Sequence, residues 1–484
     1  MMTLPEAFLR HSRELLGDAL FARLSDGLSQ PPLVSIRLNP MKSAHQAVAP
    51  ALSPRQVGWC PTGYYLSARP NFTFDPLLHA GAYYVQEASS MFVDEVVRQY
   101  VRGPLTALDL CAAPGGKTTA LLSSLPAGSV VVSNEYVRQR ASILAENVAK
   151  WGYPDVMVTN ASTEDLRECG ALFDLVLTDV PCSGEGMFRK DEGAVAEWSE
   201  ANVEHCRQLQ RKILADAWSC LHPGGLLIYS TCTLNVHENE ENIAWVQSQW
   251  GARLLPTSTS ETWHITGSLL PSLGGSVCRF IPGVSEGEGL FMALLQKPDD
   301  GTAPTKKSPK TRRQRDRRQP ASTLPAEACQ WIDTSQYAAR EYGGVTAAIP
   351  QAWTPLYDQL APLRILHAGI PLGIPRGRDL LPAPALALST ALKPGAFARH
   401  DADYATALAF LRKEAITLPT STPRGIVLVS YAGHPLGFVK NLGNRANNLY
   451  PPEWRIKSSH LPDHHEEILV EREIPIQQPI EQKI

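Results

Sequence analysis

The sequence predicts an α/β fold built around a mostly parallel sheet, and three observations carry that prediction. Strand and helix signals alternate from about Leu77 to Lys297, the pattern of a parallel sheet covered by helices on its faces. Two predicted strands run directly into loops of unusual composition, Leu108-Asp-Leu-Cys-Ala-Ala-Pro-Gly-Gly-Lys117 and Phe173-Asp-Leu-Val-Leu-Thr-Asp-Val-Pro-Cys-Ser-Gly184. A third, Leu226-Leu-Ile-Tyr-Ser-Thr-Cys-Thr233, also ends in a cysteine.

The 484 residues exceed what one hydrophobic core organises, so several domains are expected. Residues 1–75 are predicted as a small α+β extension. Leu4 to Leu16 and Ala19 to Leu24 carry helical spacing, and Leu33-Val-Ser-Ile-Arg-Leu-Asn39 alternates as a strand does. Residues 76–297 form the Rossmann-like domain. Its strands are expected at 105–110, 129–134, 155–159, 173–179 and 225–231, with a hairpin near 276–282 and 290–296. Its helices are expected at 87–101, 117–124, 136–151, 194–220 and 237–248.

Residues 298–325 change character. Lys306, Lys307, Lys310, Arg312, Arg313, Arg315, Arg317 and Arg318 face the single acid Asp316, among Pro, Thr and Gly. Such a segment buries nothing and predicts a disordered basic linker. Residues 326–458 regain globular composition, with Gly425–Ser430 and Pro435–Lys440 predicted as the two strands of a hairpin. The acidic, Pro- and Gln-rich residues 459–484 are expected to fray as a flexible tail.

Bulk composition excludes several classes. With 44% hydrophobic and 19% charged residues the chain is an ordinary globular protein. A net charge of -3 means that any polyanion must be held by local basic patches. No run approaches the roughly 18 apolar residues of a membrane helix, and the first ten residues lack a secretion signal, so no membrane partner is expected. The nine cysteines contain no Cys-x-x-Cys pair, which argues against zinc or a disulfide framework and for reduced thiols in the cytoplasm.

The first loop has the features of a nucleoside cofactor site. Ala112-Ala-Pro-Gly-Gly116 is a turn of small residues between a strand and a helix. Glycine lets a ligand approach the backbone, and the helix N-terminus offers free N–H groups. Glu135 ends the next predicted strand, where a carboxylate suits a ribose diol. A triphosphate loop would need Gly-x-x-x-x-Gly-Lys-Ser/Thr, but the first glycine position is Cys111. S-adenosylmethionine, with a ribose and no phosphate, fits better.

Asp179, Cys182 and Cys232 follow the fourth and fifth strands. In open α/β sheets the ligand crevice lies outside the carboxyl ends of the strands, so both thiols and the acid should converge beside the cofactor. This set matches methylation at carbon 5 of cytosine. A thiolate added to carbon 6 makes carbon 5 nucleophilic. A carboxyl group at ring nitrogen 3 stabilises the developing charge, and a second thiol can assist release. A base within a helix is out of reach, so the target is single-stranded or flipped out.

Leu108–Lys117, Thr178-Asp-Val-Pro-Cys-Ser-Gly184 and Ser230-Thr-Cys-Thr233, together with His79-Ala-Gly-Ala-Tyr-Tyr-Val-Gln-Glu-Ala-Ser-Ser90 and Arg37-Leu-Asn39, resemble the Nop/Sun family of RNA cytosine-5 methyltransferases over about residues 30–297. Leu436–Arg445 and Asn448-Leu-Tyr-Pro451 resemble the PUA-like RNA-binding end of the bacterial RsmF type, which modifies small-subunit ribosomal RNA. The resemblance implies Cys232 as nucleophile, Cys182 as the residue that helps release product, Asp179 as the acid on the base and Lys117 beside it. Cofactor contacts would come from Cys111, Ala112, Ala113, Pro114, Gly115, Gly116, Lys117, Glu135 and Asp179. Where the family carries an acid near the adenine, this chain has Ser162, with Asp165 as a substitute.

The implied partner is RNA, in ribosomal RNA or the small subunit, bound by a monomer; tRNA and a non-catalytic ribosome-assembly role are the rivals. DNA is not expected, because Glu146-Asn-Val148 lies upstream of the Pro-Cys motif, on a predicted helix. Arg189-Lys190-Asp191 and a face of Arg364, Arg376, Arg378 and Arg445 are expected to meet RNA phosphates. His222, His237 and His434 lack metal-ligand spacing.

Overall fold

The computed structural model describes residues 4–273, 277–299, 323–377, 379–458, 461 and 465–472. Its centre is a nine-stranded sheet. The strands are β1 (Thr106–Asp109), β2 (Val130–Asn134), β3 (Val156–Asn160), β4 (Phe173–Asp179), β5 (Leu221–Thr231), β6 (Arg253–Leu255), β7 (Val277–Phe280), β8 (Leu290–Gln296) and β9 (Arg364–Ala368). Their order is β6-β8-β5-β4-β1-β2-β3-β9, with β7 also paired to β8. Strands β1 to β5 run parallel, while β6, β7, β8 and β9 are antiparallel additions.

The parallel strands are continuous apolar runs because both faces are covered. All five residues of β2 are buried, as are Leu175, Val176 and Leu177 of β4. Each fully buried valine or leucine contributes about 1.5–3 kcal/mol. The chain reverses direction across the sheet between β1 and β4, which opens a crevice at their carboxyl ends. Helices α1 (Gly116–Ser124), α2 (Arg138–Trp151), α3 (Thr163–Glu168), α4 (Glu200–Ser219) and α5 (Glu240–Trp250) make the crossovers and cover the faces. Helix α2 ends at Gly152 with φ 83°, where an added Cβ would sit 2.1 Å from the Leu388 carbonyl.

Several elements depart from expectation. The helix expected over 194–220 is two, because Ser199 accepts a hydrogen bond from the Asn202 amide and starts a new helix. The helix expected from 87 begins at Phe92, after a 3₁₀ turn at Ser89–Met91. Helix α3 and strand β6 carry too few residues for a periodic signal. The N-terminal helix Glu6–Ser29 is kinked at Gly17 (φ 70°), as the two separate helical signals imply.

Domain edges also move. The N-terminal sheet, ordered Arg55–Gln56, Gly63–Leu66, Val34–Leu38, Tyr83–Val85, is completed by a strand beyond residue 75. Residues 326–458 contribute to more than one sheet, and one buried cluster joins Trp331, Ile370 and Leu386 to Leu428 and Phe438. Strand β9 extends the central sheet, and Ala347, Ile349, Tyr357 and Leu360 pack into its core. The strands Ala398–Ala402, Gly425–Tyr431, His434–Asn441 and Ala446–Asn448 form a separate sheet that contains the expected hairpin. The tail does not fray throughout: Leu469–Glu471 pairs antiparallel with Gln46–Val48, and Ile468 and Leu469 are buried. The basic run Lys306–Arg318 and Arg378 lie outside the described residues.

Candidate active site

The loop after β1 and the loops after β4 and β5 meet at the crevice. Asp109 closes β1 and is fully buried; its Oδ2 accepts from Thr118 Oγ1 at 2.7 Å, while Oδ1 has no partner. Burial pushes this carboxyl up to about 7, against the Thr118 hydrogen bond. The turn Cys111–Gly115 follows. Gly115 holds φ 112°, a region that L side chains avoid, and starts α1 with no side-chain cap. The first amides of α1 are therefore left to a ligand. The carbonyls of Ala113 and Pro114 are held from α2 by Arg140 Nη2 at 2.9 Å and Asn147 Nδ2 at 2.8 Å.

Glu135 follows β2 and is buried. Its Oε1 accepts from the Val137 amide at 2.8 Å, and Oε2 stands 3.5 Å from Arg140. These features fit S-adenosylmethionine: a turn free of bulky side chains, uncapped amides for a carboxylate, an orphaned buried carboxylate oxygen, and an acid for a diol. Ala112, Ala113, Pro114, Gly115, Gly116, Glu135 and the partly buried Cys111 would line that site, and burial holds Cys111 as a thiol. Ser162 has another duty. Its Oγ accepts from the Asp165 amide and donates to Asp165 Oδ2 at 2.6 Å, a capping box that starts α3. Both residues considered for the adenine thus serve the helix end first.

Asp179 closes β4 and is gripped at both oxygens. Lys117 Nζ, from the first turn of α1, donates to Oδ2 at 2.8 Å, and Ser230 Oγ, from β5, donates to Oδ1 at 2.7 Å. Burial opposes the Lys117 charge, but the Asp179 carboxylate outweighs it and holds the ammonium above its usual range. Three residues beyond Asp179, Cys182 Sγ lies 3.3 Å from Cys232 Sγ. Both thiols are partly exposed, so a ligand in the crevice reaches them. The hydrogen bond to Cys232, then burial, then the charges of Cys232 and Glu238 keep Cys182 firmly as a thiol. Either sulfur of the pair can donate its S–H across that gap.

Sequence reasoning missed the support beneath the thiols. Gly186 N donates to the Cys232 carbonyl at 2.8 Å, and an added Cβ at Gly186 would sit 2.6 Å from the Gly289 carbonyl. Glu185, Gln210, Asn235 and Glu238 form a buried polar network between the two loops. The acids of Glu238-Asn-Glu240, six to eight residues after Cys232, were the available signal.

The expectation that Arg189 meets RNA phosphates is overturned. Its guanidinium is buried, donating to Glu288 Oε2 at 2.7 Å and to the carbonyls of Gly27 and Gly287. Asp191 caps the next helix through the Gly193 amide. Arg364 and Arg376 lie on two different sheets and Arg445 in the turn before Ala446–Asn448 of a third, and Arg364 donates to Asn160 Oδ1 at 2.9 Å. No helix among the described residues is long and apolar enough to cross a membrane.

Comparison with known proteins agrees along the chain. A family model of the 16S rRNA methyltransferase RsmB/F matches residues 103–296, one of the N-terminal domain of RsmF matches residues 4–88, and one of the RsmF PUA domain matches residues 397–456. The ribosomal RNA small subunit methyltransferase F of Cronobacter sakazakii is 30% identical over 483 residues, covering 93% of this chain and 96% of that one. The protein of the same name from Pectobacterium atrosepticum is 32% identical over 311 residues, spanning 61% of this chain and 63% of its own length. The crystal structure of NSun6 from Pyrococcus horikoshii with SFG shares the fold, with a TM-score of 0.52 at 20% identity over 62% of this chain and 100% of that one.

Proposed function

The chain belongs to the small-subunit ribosomal RNA methyltransferase F family, and from that premise we propose that it methylates carbon 5 of a cytosine in 16S ribosomal RNA, using S-adenosylmethionine and a covalent bond between Cys232 and the base. The observation that carries this reading is the 3.3 Å approach of two thiols beside the Lys117–Asp179 ion pair.

The residues divide the reaction as follows. The Cys232 thiolate bonds to carbon 6, and the carbon 5–carbon 6 electron pair moves towards ring nitrogen 3. Asp179 hydrogen-bonds at nitrogen 3 and passes on a proton from the Lys117 ammonium. The cofactor, when bound, would supply a methyl group on a sulfonium; carbon 5 would take the methyl, and the electron pair of the broken carbon–sulfur bond would stay on the cofactor as a neutral thioether. For release, carbon 5 gives its proton to the Cys182 side while the carbon 6–sulfur bond breaks with its pair on Cys232. Cys182 hands its own proton across the 3.3 Å gap and takes up the one from carbon 5. Nitrogen 3 returns its proton to the Asp179–Lys117 pair. Both thiols and the ion pair are restored, and the one proton released is that which Cys232 gave to solvent when its thiolate formed.

The PUA-like sheet would place RNA against the crevice, and the protein would act as a single chain in the cytoplasm, where its nine unpaired cysteines stay reduced. Labelled S-adenosylmethionine with naked 16S RNA, assembled small subunits or tRNA tests the substrate. Label in 5-methylcytosine of small-subunit RNA is the expected outcome. Label in tRNA alone would overturn the substrate, and no label in any RNA would overturn the reaction.

A further inference from the structure

One end of the sheet formed by Gly425–Tyr431, His434–Asn441 and Ala446–Asn448 gathers cations. In its inner rung Lys440 pairs with Ile426 on one side and Asn447 on the other. In the next rung Asn441 pairs with Gly425 and Ala446. Beyond it, Leu442 N donates to the Arg445 carbonyl at 2.9 Å, and Arg424 stands one residue before Gly425. Paired residues of antiparallel strands share a face, and successive residues alternate between faces. Asn441 and Ala446 are buried, so the middle rung turns inwards. Arg424, Lys440, Arg445 and Asn447 share the opposite face, and all four are exposed. Adjacent strands stand about 4.8 Å apart and two residues rise about 6.8 Å, which places the three cationic positions within about 10 Å of one another. That is roughly one Debye length at about 0.1 M salt, so the three charges act as one field.

The end is held by its own bonds. Asn441 Nδ2 donates to the carbonyls of Thr422 and Pro423, both at 3.0 Å, and its Oδ1 accepts from the Gly443 amide at 2.9 Å. Gly443 leaves room for Arg424, whose Nε would lie 2.8 Å from an added Cβ. Farther along the same face Leu428 and Phe438 are buried in a cluster with Trp331, Ile370 and Leu386, so the face is open at its basic end. Other cations of this region are already engaged. Arg399 Nε donates to Ser430 Oγ at 2.8 Å, Arg412 pairs with Glu414 at 2.8 Å, and Lys413 donates to the Asn448 carbonyl at 3.4 Å. Arg424, Lys440 and Arg445 pair with no acid among the described residues. Like charges grouped in this way repel one another, and an anion from outside relieves the repulsion.

We propose that the face of Arg424, Lys440, Arg445 and Asn447 binds the phosphodiester backbone of the RNA substrate. The three cations hold phosphates and the Asn447 amide donates to a phosphate or sugar oxygen, which positions the strand without reading its sequence. The inference rests on the reading of RNA as substrate and names the surface that holds it.

Binding of naked 16S RNA to the full chain, measured by filter retention across salt and without cofactor, tests this directly. The triple variant Arg424→Gln, Lys440→Gln, Arg445→Gln raises Kd by about tenfold at about 0.1 M salt. It also flattens the slope of log affinity against log salt by about 2, since each phosphate contact with a single strand contributes about 0.7. Arg424→Lys with Arg445→Lys keeps the wild-type slope, because a point charge still meets a phosphate. In methylation assays the triple variant raises KM for RNA by the same factor, while binding of S-adenosylhomocysteine is unchanged. If the triple variant does not fold, each single variant decides, with a slope change of about 0.7. Unchanged Kd and slope in folded variants overturn the proposal. So does a loss confined to assembled small subunits, which would make the partner an acidic protein of the subunit. A wild type that methylates no RNA, with the salt slope shifted in the variants, would remove the methyl-transfer reading and leave the surface standing. An active wild type with unshifted slopes would do the reverse.

Discussion

Lys117 Nζ lies 2.8 Å from Asp179 Oδ2, joining the first turn of the helix after β1 to the end of β4 across the point where the strand order reverses. The same helix turn carries the glycines of the cofactor loop, so one ion pair sets the distance between the cofactor side and the base side of the crevice. Lys117→Met leaves Asp179 held by Ser230 alone and removes the proton source. The expected loss is about 10²–10³-fold in kcat, with a much smaller change in KM for RNA. Steady-state kinetics check it.

Arg37 is the anchor behind that helix. It is buried over the Trp151 ring at 4.6 Å and donates to Gln86 Oε1 at 2.7 Å, to Thr119 Oγ1 at 2.5 Å and to the carbonyls of Gly116 and Thr119. Arg37→Met strands these acceptors and should cost about 3 kcal/mol or more. Arg37→Lys should not restore it, because an ammonium cannot span the same fork. Denaturant midpoints measure both.

Gly186 sets the closeness of the thiol loops. A methyl group there would press on the carbonyls of Gly289, at 2.6 Å, and Cys232, at 2.9 Å. Gly186→Ala is expected to move the nucleophile and lower kcat by about 10²-fold while the chain stays folded, since small displacements of reacting groups are that costly. Activity measured beside a melting curve separates the two effects.

His79 gives the fold an acid-sensitive contribution. Burial, then the Lys150 charge, lower its pKa from 6.5 to about 3, with Nε2 placed 2.9 Å from the Thr73 carbonyl. The unfolded chain therefore binds a proton that the folded chain refuses. The His79 contribution is complete above pH 6.5 and is lost as pH falls towards 3. The stability difference between wild type and His79→Gln should shrink by up to about 1.4 kcal/mol per pH unit in that window. Urea unfolding at several pH values tests it.

What was legible in the sequence follows from distance along the chain. Asp179, Cys182 and Cys232 sit at strand ends, and the doubly wound order brings strand ends together, so local signals sufficed to place them. The network of Glu185, Gln210, Asn235 and Glu238 joins residues from three separate segments, and the acids at Glu238 and Glu240 mark only one of the three. Arg189 was misjudged for the same reason: its partners Gly27, Gly287 and Glu288 come from distant segments and bury what a local charge run suggested was exposed. The tail strand Leu469–Glu471 finds its partner in Gln46–Val48, and composition alone could not reveal that pairing.

The most direct test of the account is a covalent trap. Wild type, Cys182→Ala and Cys232→Ala are expressed in cells and run under denaturing conditions with and without ribonuclease. The account predicts a slow-migrating, nuclease-sensitive species for Cys182→Ala alone, because Cys232 still adds to the base while release fails. An adduct on Cys232→Ala, or none on any form, would contradict it.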